Sequence, residues 1–246
     1  MYETKEGIIL KRIAYNDKAS IIYVYTQTYG FLPLMIKKSS SSKNNHAAFI
    51  IPLGIIQFDI KINPTREIQF VSNVTSEYYL LSLRENFDKL NIATFFSEFL
   101  YQILKYPHKD TSLYDFLKDF ILKLDSIPAE FCFNIHLYAL VKLLTYLGIE
   151  PENNFSPQNI RFDLKQACFT NQIATDLIEN EATSELWNFF LASNLESALA
   201  RKINRINKQT FIKSIMNYCT LHLDKKIDFT ALEIIRAIYE NHPQNV

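Results

Sequence analysis

Glycine is scarce in this 246-residue chain. There are only 4, Gly7, Gly30, Gly54 and Gly148, too scattered to write a GxGxxG or GxxxxGK[ST] loop. Without such a loop there is no backbone cradle for a phosphate chain, so chemistry driven by ATP or a dinucleotide is not expected. Cysteine is equally sparse: Cys132, Cys168 and Cys219 stand far apart, with neither a disulfide framework nor CxxC spacing. An odd, low count in a chain without a signal-peptide pattern reads as a reduced, cytoplasmic protein. The histidines, His46, His108, His136, His222 and His242, form no HExxH, and no serine sits in a GxSxG elbow. Apolar runs such as Ile8–Leu10 and Phe49–Pro52 fall far short of the roughly 20 residues that cross a bilayer. No cofactor, metal, membrane or catalytic role is expected, and a hydrolase survives only as a convergent carboxylate pair that no motif marks.

Net charge is absent too, with 26 basic against 26 acidic residues, but the cancellation hides segregation along the chain. Residues 1–75 hold nine Lys or Arg against five acids, a net of +4. Residues 201–226 carry Arg201, Lys202, Arg205, Lys208, Lys213, Lys225 and Lys226 against Asp224 alone. Two local basic regions in a neutral chain point to a polyanion partner met by part of the surface.

What is present in the first 75 residues is strand. Ile56, Phe58, Ile60 and Ile62 alternate with Gln57, Asp59 and Lys61, the period of two that marks a half-buried strand. Glu6–Ile13, Ser20–Thr26, Phe31–Lys37 and Glu67–Val74 are rich in β-branched and aromatic residues, and turn signals at Asn16-Asp17, Tyr29-Gly30 and Asn63-Pro64 separate them. Five such strands predict a small closed barrel of the OB type.

Beyond Thr75 the period becomes helical, which makes the fold α+β: a barrel over 1–75, then a helical domain over 76–246. Tyr78, Leu81 and Arg84 open a first helix; Phe95, Phe96, Phe99, Leu100 and Ile103 stripe a second. Leu113 to Leu124 stripe a third, with Ser112 and Asp115 as its capping box. The longest helix is expected over Ala129–Leu147, apolar on most sides and stopped by Gly148 and Pro151. A loop and small hairpin follow at 152–172, then helices over Glu185–Asn194, Lys208–Leu223 and Phe229–Asn241.

Binding is the chemistry the barrel supports. An OB barrel lays a single strand along a basic groove and stacks bases on exposed rings, each base contributing about 1–3 kcal/mol. Candidate cations are Lys11, Arg12, Lys37, Lys38, Lys43 and Arg66; candidate rings are Tyr23, Tyr25, Tyr29 and Phe31. Strand lysines more often guard a sheet edge and barrel tyrosines more often fill a core, but Lys37, Lys38 and Lys43 flank a polar Ser39–Ser42 loop and favour phosphate contact. Arg201, Lys202, Arg205 and Lys208 sit at a helix junction where 201, 205 and 208 share a face. Phe131 and Phe133 are expected in the core with Phe95, Phe96, Phe99 and Tyr101, unless one pocket among them opens for an extended peptide. His136 and His222 are expected as hydrogen-bonded core residues.

The ordered segments Thr4-Lys5-Glu6-Gly7-Ile8-Ile9-Leu10, Tyr15-Asn16-Asp17-Lys18-Ala19 and Tyr25-Thr26 to Tyr29-Gly30 resemble the start of the bacterial RecO recombination mediator family. Lys37-Lys38-Ser39 with Lys43 takes the place of that family's basic loop, here without its glycine. Leu147-Gly148-Ile149-Glu150-Pro151 is similar to its Leu-Gly-x-x-Pro helix end, and Tyr218 to Lys226 to its last helix. Many members then carry paired CxxC knuckles; here 152–170 holds only Cys168, which leaves a degenerate zinc-finger-like insertion and no zinc. The resemblance implies a non-enzymatic DNA repair protein, nucleoid-associated, that binds single-stranded and duplex DNA and anneals complementary strands. It would help load RecA onto strands coated by single-strand-binding protein. Implied partners are RecR, in some lineages RecF, and the acidic, Phe-ending tail of single-strand-binding protein, docked on the helical domain. The alternative is a protein-interaction adaptor whose helical bundle binds peptides and whose barrel is only structural.

Overall fold

Period-two alternation forces successive side chains to opposite faces, and the first five strands use it to close a barrel. The computed structural model describes residues 2–37, 49–105, 109–172 and 176–228. Its strands β1 (Glu3–Asn16), β2 (Ala19–Thr26), β3 (Gly30–Lys37), β4 (Ile55–Ile60) and β5 (Gln69–Thr75) close in the order β1-β2-β3-β5-β4. β3 and β5 run parallel; every other neighbouring pair is antiparallel. β1 is long enough to serve both sides of the barrel: Glu3–Ile8 pairs with β4 and Gly7–Asn16 with β2, with register shifts at Ile9/Lys11 and Ala14/Asn16. Gly7 sits where the walls converge, and a Cβ there would meet Thr26, Val24 and Phe58 at 3.2–3.3 Å. Ile9, Ile22, Val24, Leu34, Ile36, Ile56, Phe58, Ile60 and Val74 fill the interior, so the alternation read at Ile56, Phe58 and Ile60 holds.

The chain divides into two compact units, 1–126 and 127–246. The first adds α1 (Leu81–Glu85), α2 (Phe87–Ile103) and α3 (Thr111–Ser126) to the barrel. A buried lysine knits these helices: Lys89 Nζ donates to Ser82 Oγ and to the Asp125 carbonyl, both at 2.7 Å, while Asp125 Oδ1 accepts the Leu83 N–H. Asparagine caps most helices. Asn86, Asn180, Asn194 and Asn204 each accept the N–H three residues on, which satisfies a donor the helix start would leave orphaned. At α3 the cap is Asp110, whose Oδ1 accepts the Leu113 N–H at 3.0 Å. The capping box expected at Ser112 is therefore displaced, because the helix begins one residue earlier, at Thr111.

In the second unit, Ala129–Asn134 is a 3-10 helix, and the α-helix proper is α4 (Ile135–Tyr146). The single long helix expected over 129–147 is thus split, and α7 is the longer one. Phe, Cys and Asn are weak helix formers, and the Asn134 side chain is drawn to the Ala198 and Arg201 carbonyls instead. α4 is nonetheless buried on most sides, through Ile135, His136, Leu137, Leu140, Val141, Leu143 and Leu144. It ends as read: Gly148 adopts φ +70, and the Gly148 and Ile149 N–H groups return to Thr145 and Leu144. The hairpin β6 (Arg161–Asp163) and β7 (Cys168–Thr170) follows, then α5 (Glu181–Ala192), α6 (Leu195–Ala200) and α7 (Arg205–His222). The sequence reading missed α6, a six-residue helix too short to show periodicity. The helix expected over Phe229–Asn241 lies outside the described residues.

Candidate nucleic-acid interface

Strand parity decides which basic side chains reach solvent. On β3, Leu34 and Ile36 point into the barrel, so Pro33, Met35 and Lys37 point out. Lys37 is exposed opposite Ala19 of β2 and has no ion pair among the described residues. On β5 the inward residue is Val71, which turns Phe70 outward beside Met35. Arg66, exposed in the β4–β5 connection, lays its guanidinium 5.0 Å from the Phe70 ring and makes no ion pair among the described residues. Lys37 and Arg66 thus flank the Met35–Phe70 pair on the outer face.

Other predicted cations go elsewhere. Lys11 shares the outward side of β1, but its ammonium is held by both Glu98 oxygens at 3.0 and 3.2 Å and lies 4.5 Å from the Tyr101 ring. Arg12 is exposed on the opposite side of β1, opposite the core residue Ile22; β4 pairing has ended at Ile8, so that side is open. Lys38 and Lys43 lie outside the described residues.

The basic run of the second unit does not form the expected face. Arg201 terminates α6 while α7 starts at Arg205, so no single helix carries 201, 205 and 208. Arg201 pairs with Glu185 at 2.5 Å and rests over Phe189. Lys202 is exposed, and Arg205 is half-buried. Lys208 is only 4% exposed, lies 5.8 Å from the Phe133 ring, and burial pulls its ammonium down to about 8. Desolvation disfavours its charged form, which removes it from any surface that phosphate could touch. His136 is buried beside it, and burial together with that ammonium drags its imidazole down to about 3. His222 is hydrogen-bonded as expected, to the Leu164 carbonyl at 2.7 Å.

Of the four rings nominated for stacking, three are packed away and the fourth, Tyr29, is half-buried. Tyr25 is buried, which pushes its hydroxyl up to about 12. Tyr23 and Phe31 pack against each other and against Tyr101 of α2, and Tyr29 donates its hydroxyl to Glu3. The exposed ring on this face is Phe70, a residue the sequence reading missed. No local signal marked it: with polar Gln69 read as facing solvent, simple alternation would turn Phe70 into the core, whereas Gln69 is buried and Phe70 exposed. Phe131 departs from its expected core position too, being 53% exposed.

At the hairpin, no group of His, Cys, Asp or Glu fit to hold a metal exists among the described residues. Hydrogen bonds and rings hold it instead. Asn154 accepts the Phe169 N–H at 2.6 Å and donates to the Phe169 carbonyl at 3.0 Å. Phe162 stacks on Trp187 at 4.5 Å, and Phe155 meets Phe169 edge-on at 5.3 Å. No described helix is long and apolar enough to cross a membrane.

Comparison with known proteins accounts for nearly the whole chain. The family model for Recombination protein O N terminal matches residues 1–79, and that for Recombination protein O C terminal matches 84–228. The chain is 27% identical over 243 residues to the DNA repair protein RecO of Azobacteroides pseudotrichonymphae, covering 98% of this chain and 100% of that one. It is 24% identical over 242 residues to that of Phocaeicola vulgatus, at 97% and 100% coverage. With that of Porphyromonas gingivalis it shares 28% identity over 233 residues, at 91% and 93% coverage. With a closed five-stranded barrel at its start and helices after it, the chain belongs to the RecO family of DNA repair proteins.

Proposed function

We propose that the protein is a recombination mediator that works by binding, without catalysis. It holds single-stranded and duplex DNA on the barrel, anneals complementary strands, and helps load RecA onto strands coated by single-strand-binding protein. The observation that carries this reading is that exposed Lys37 and Arg66, neither ion-paired among the described residues, flank the Met35–Phe70 pair on the outer face of an OB-ordered barrel. Cations left open to water can exchange counterions for phosphates, the dominant source of affinity for DNA. Annealing needs two screened backbones and reachable bases, which a basic face with an exposed ring provides, and it needs no nucleotide hydrolysis.

Lys37, Lys38, Lys43, Arg66 and Arg12 contact phosphates in this reading, with Lys202 and Arg205 as accessory contacts of the second unit. Lys11, Arg201 and Lys208 hold the fold instead. RecR and, in some lineages, RecF are its protein partners, the nucleoid is its site of action, and the acidic, Phe-ending tail of single-strand-binding protein docks on the helical unit.

Fluorescence anisotropy of a labelled single strand tests the reading. Binding at low salt should weaken steeply as salt rises, and replacing Lys37, Lys38 and Lys43 with Glu should abolish it while the fold survives. Unchanged affinity in that variant removes the barrel loop from the account. A protein that ignores DNA yet takes an acidic peptide ending in Phe is the adaptor instead.

A further inference from the structure

The strand register places a row of apolar side chains across the outside of the barrel. Ile13 of β1 stands opposite Ile21 of β2, Ile21 opposite Met35 of β3, and Met35 opposite Phe70 of β5. All four have the parity opposite to the core residues Ile22, Leu34, Ile36 and Val71, so they share the outer face. The row crosses three interstrand steps, about 14 Å. Its middle is covered and its ends are open: Ile21 is only 8% exposed and Met35 is half-buried, whereas Ile13 is 40% and Phe70 53% exposed.

Two cations flank the Phe70 end of this row. Lys37 stands two residues beyond Met35 on the same face, and the Arg66 guanidinium lies over Phe70. The carboxylate on the adjoining strand, Asp59, is engaged by the Thr4 hydroxyl and the Asn73 amide. A second copy of the chain docked symmetrically would bring Lys37 and Arg66 against their own duplicates, a like-charge contact that opposes self-pairing. An apolar peptide would leave both cations unused. An unpaired DNA strand uses both: bases have flat faces for the ring and the guanidinium plane, and phosphates answer the two cations.

We infer that the open Phe70 end of this row, with the Arg66 guanidinium over the ring, is a stacking floor for unpaired bases. This rests on the reading of the barrel as a DNA-binding surface and adds the device by which it tells a single strand from a duplex. Paired bases are already stacked and cannot reach the row, whereas both forms present phosphates to Lys37 and Arg66. The row therefore biases the protein toward the single strands on which a mediator acts.

Anisotropy titrations with a labelled oligothymidine and with a blunt duplex separate the terms. Phe70→Ala, at an exposed position, should lower single-strand affinity about tenfold and leave duplex affinity within about twofold. Phe70→Trp should restore single-strand binding, with quenching of the new indole as the oligonucleotide is added. Equal losses on both substrates, or an unchanged single-strand affinity in Phe70→Ala, overturn the stacking floor while leaving a cationic DNA-binding barrel intact. Failure of the unaltered protein to bind either substrate overturns both. Sedimentation checks the remaining occupant: a dimer dissociated by Phe70→Ala with single-strand affinity unchanged makes the row an interface between copies and overturns the proposal.

Discussion

On the barrel, Lys37 and Arg66 stand open to solvent with no ion pair among the described residues, whereas in the second unit Arg201 is clamped by Glu185 and Lys208 is buried under Phe133. Both pairs belong to basic stretches that look alike in the sequence. The difference comes from what surrounds each backbone. A barrel strand sends every second side chain outward, and where no helix covers it a lysine there meets water. A helix junction inside a bundle has a buried side, and a long cationic side chain on it must be desolvated or paired. Neither unit is pure. Lys11 shows that a barrel cation covered by α2 is captured by Glu98, and Lys202 shows that the junction still offers one exposed ammonium. Cover, more than charge density along the chain, separates an open cation from a structural one.

The contrast is sharpest where the second unit is most closed. Phe162 is fully buried and stacked on Trp187, the only tryptophan of the chain. Phe162→Ala should cost about 3–5 kcal/mol, read as an earlier urea midpoint by Trp187 fluorescence. Chelators should leave that midpoint unmoved, since rings and Asn154 hold the hairpin. A loss below about 1 kcal/mol would mean the ring cluster is not what holds it.

Acid should find the same unit. His136 is wholly buried and its imidazole is held down to about 3, so below the ordinary value of 6.5 the unfolded chain binds a proton that the folded one refuses. Stability then falls as pH falls, by about 1.4 kcal/mol per unit from pH 6.5 toward 5. The Trp187 unfolding midpoint measured across that window should follow, and His136→Leu should flatten it. A midpoint independent of pH contradicts the burial. Lys208 has the same sign in an alkaline window: pulled down to about 8, it adds stability as pH rises from 8 toward its ordinary value.

The smaller effects bear directly on cover. Lys208→Met should leave oligonucleotide affinity within about twofold and hold or raise the urea midpoint at pH 7, because an apolar side chain of similar length relieves a desolvated charge. Lys11→Ala should lower stability by at most about 1 kcal/mol, its pair with Glu98 being about one-third exposed, and should weaken DNA binding less than the same change at Lys37. A Lys11 variant as damaging to DNA affinity as the Lys37 one would erase the distinction between covered and uncovered cations.

Much of this was legible in residue order. The five strands, the core triplet Ile56, Phe58 and Ile60, the Gly148 helix end and the 152–172 hairpin all carry local signals, either a period or a turn residue, and each forms where those signals lie. The family likeness was readable as well, because it rests on ordered segments over most of the chain. The split of 129–147 was hidden because Asn134 answers to carbonyls more than 60 residues away. The cover over two candidate rings was hidden for a similar reason. Tyr23 and Phe31 have the outward parity a stacking ring needs, but Tyr101 covers them, and no periodicity announces which outward positions a later helix will occupy. Phe70 escaped notice because its partner Met35 is joined to it only by the parallel β3–β5 pairing, a long-range register.

The most direct measurement is the slope of log affinity against log salt for a single-stranded oligonucleotide. Replacing Lys37 and Arg66 together with Gln should make that slope shallower by about 1.4, roughly 0.7 for each phosphate no longer neutralised, while Lys208→Met leaves it unchanged. An unaltered slope in the double variant, or an equal change from Lys208→Met, would contradict the claim that the uncovered barrel face carries the DNA.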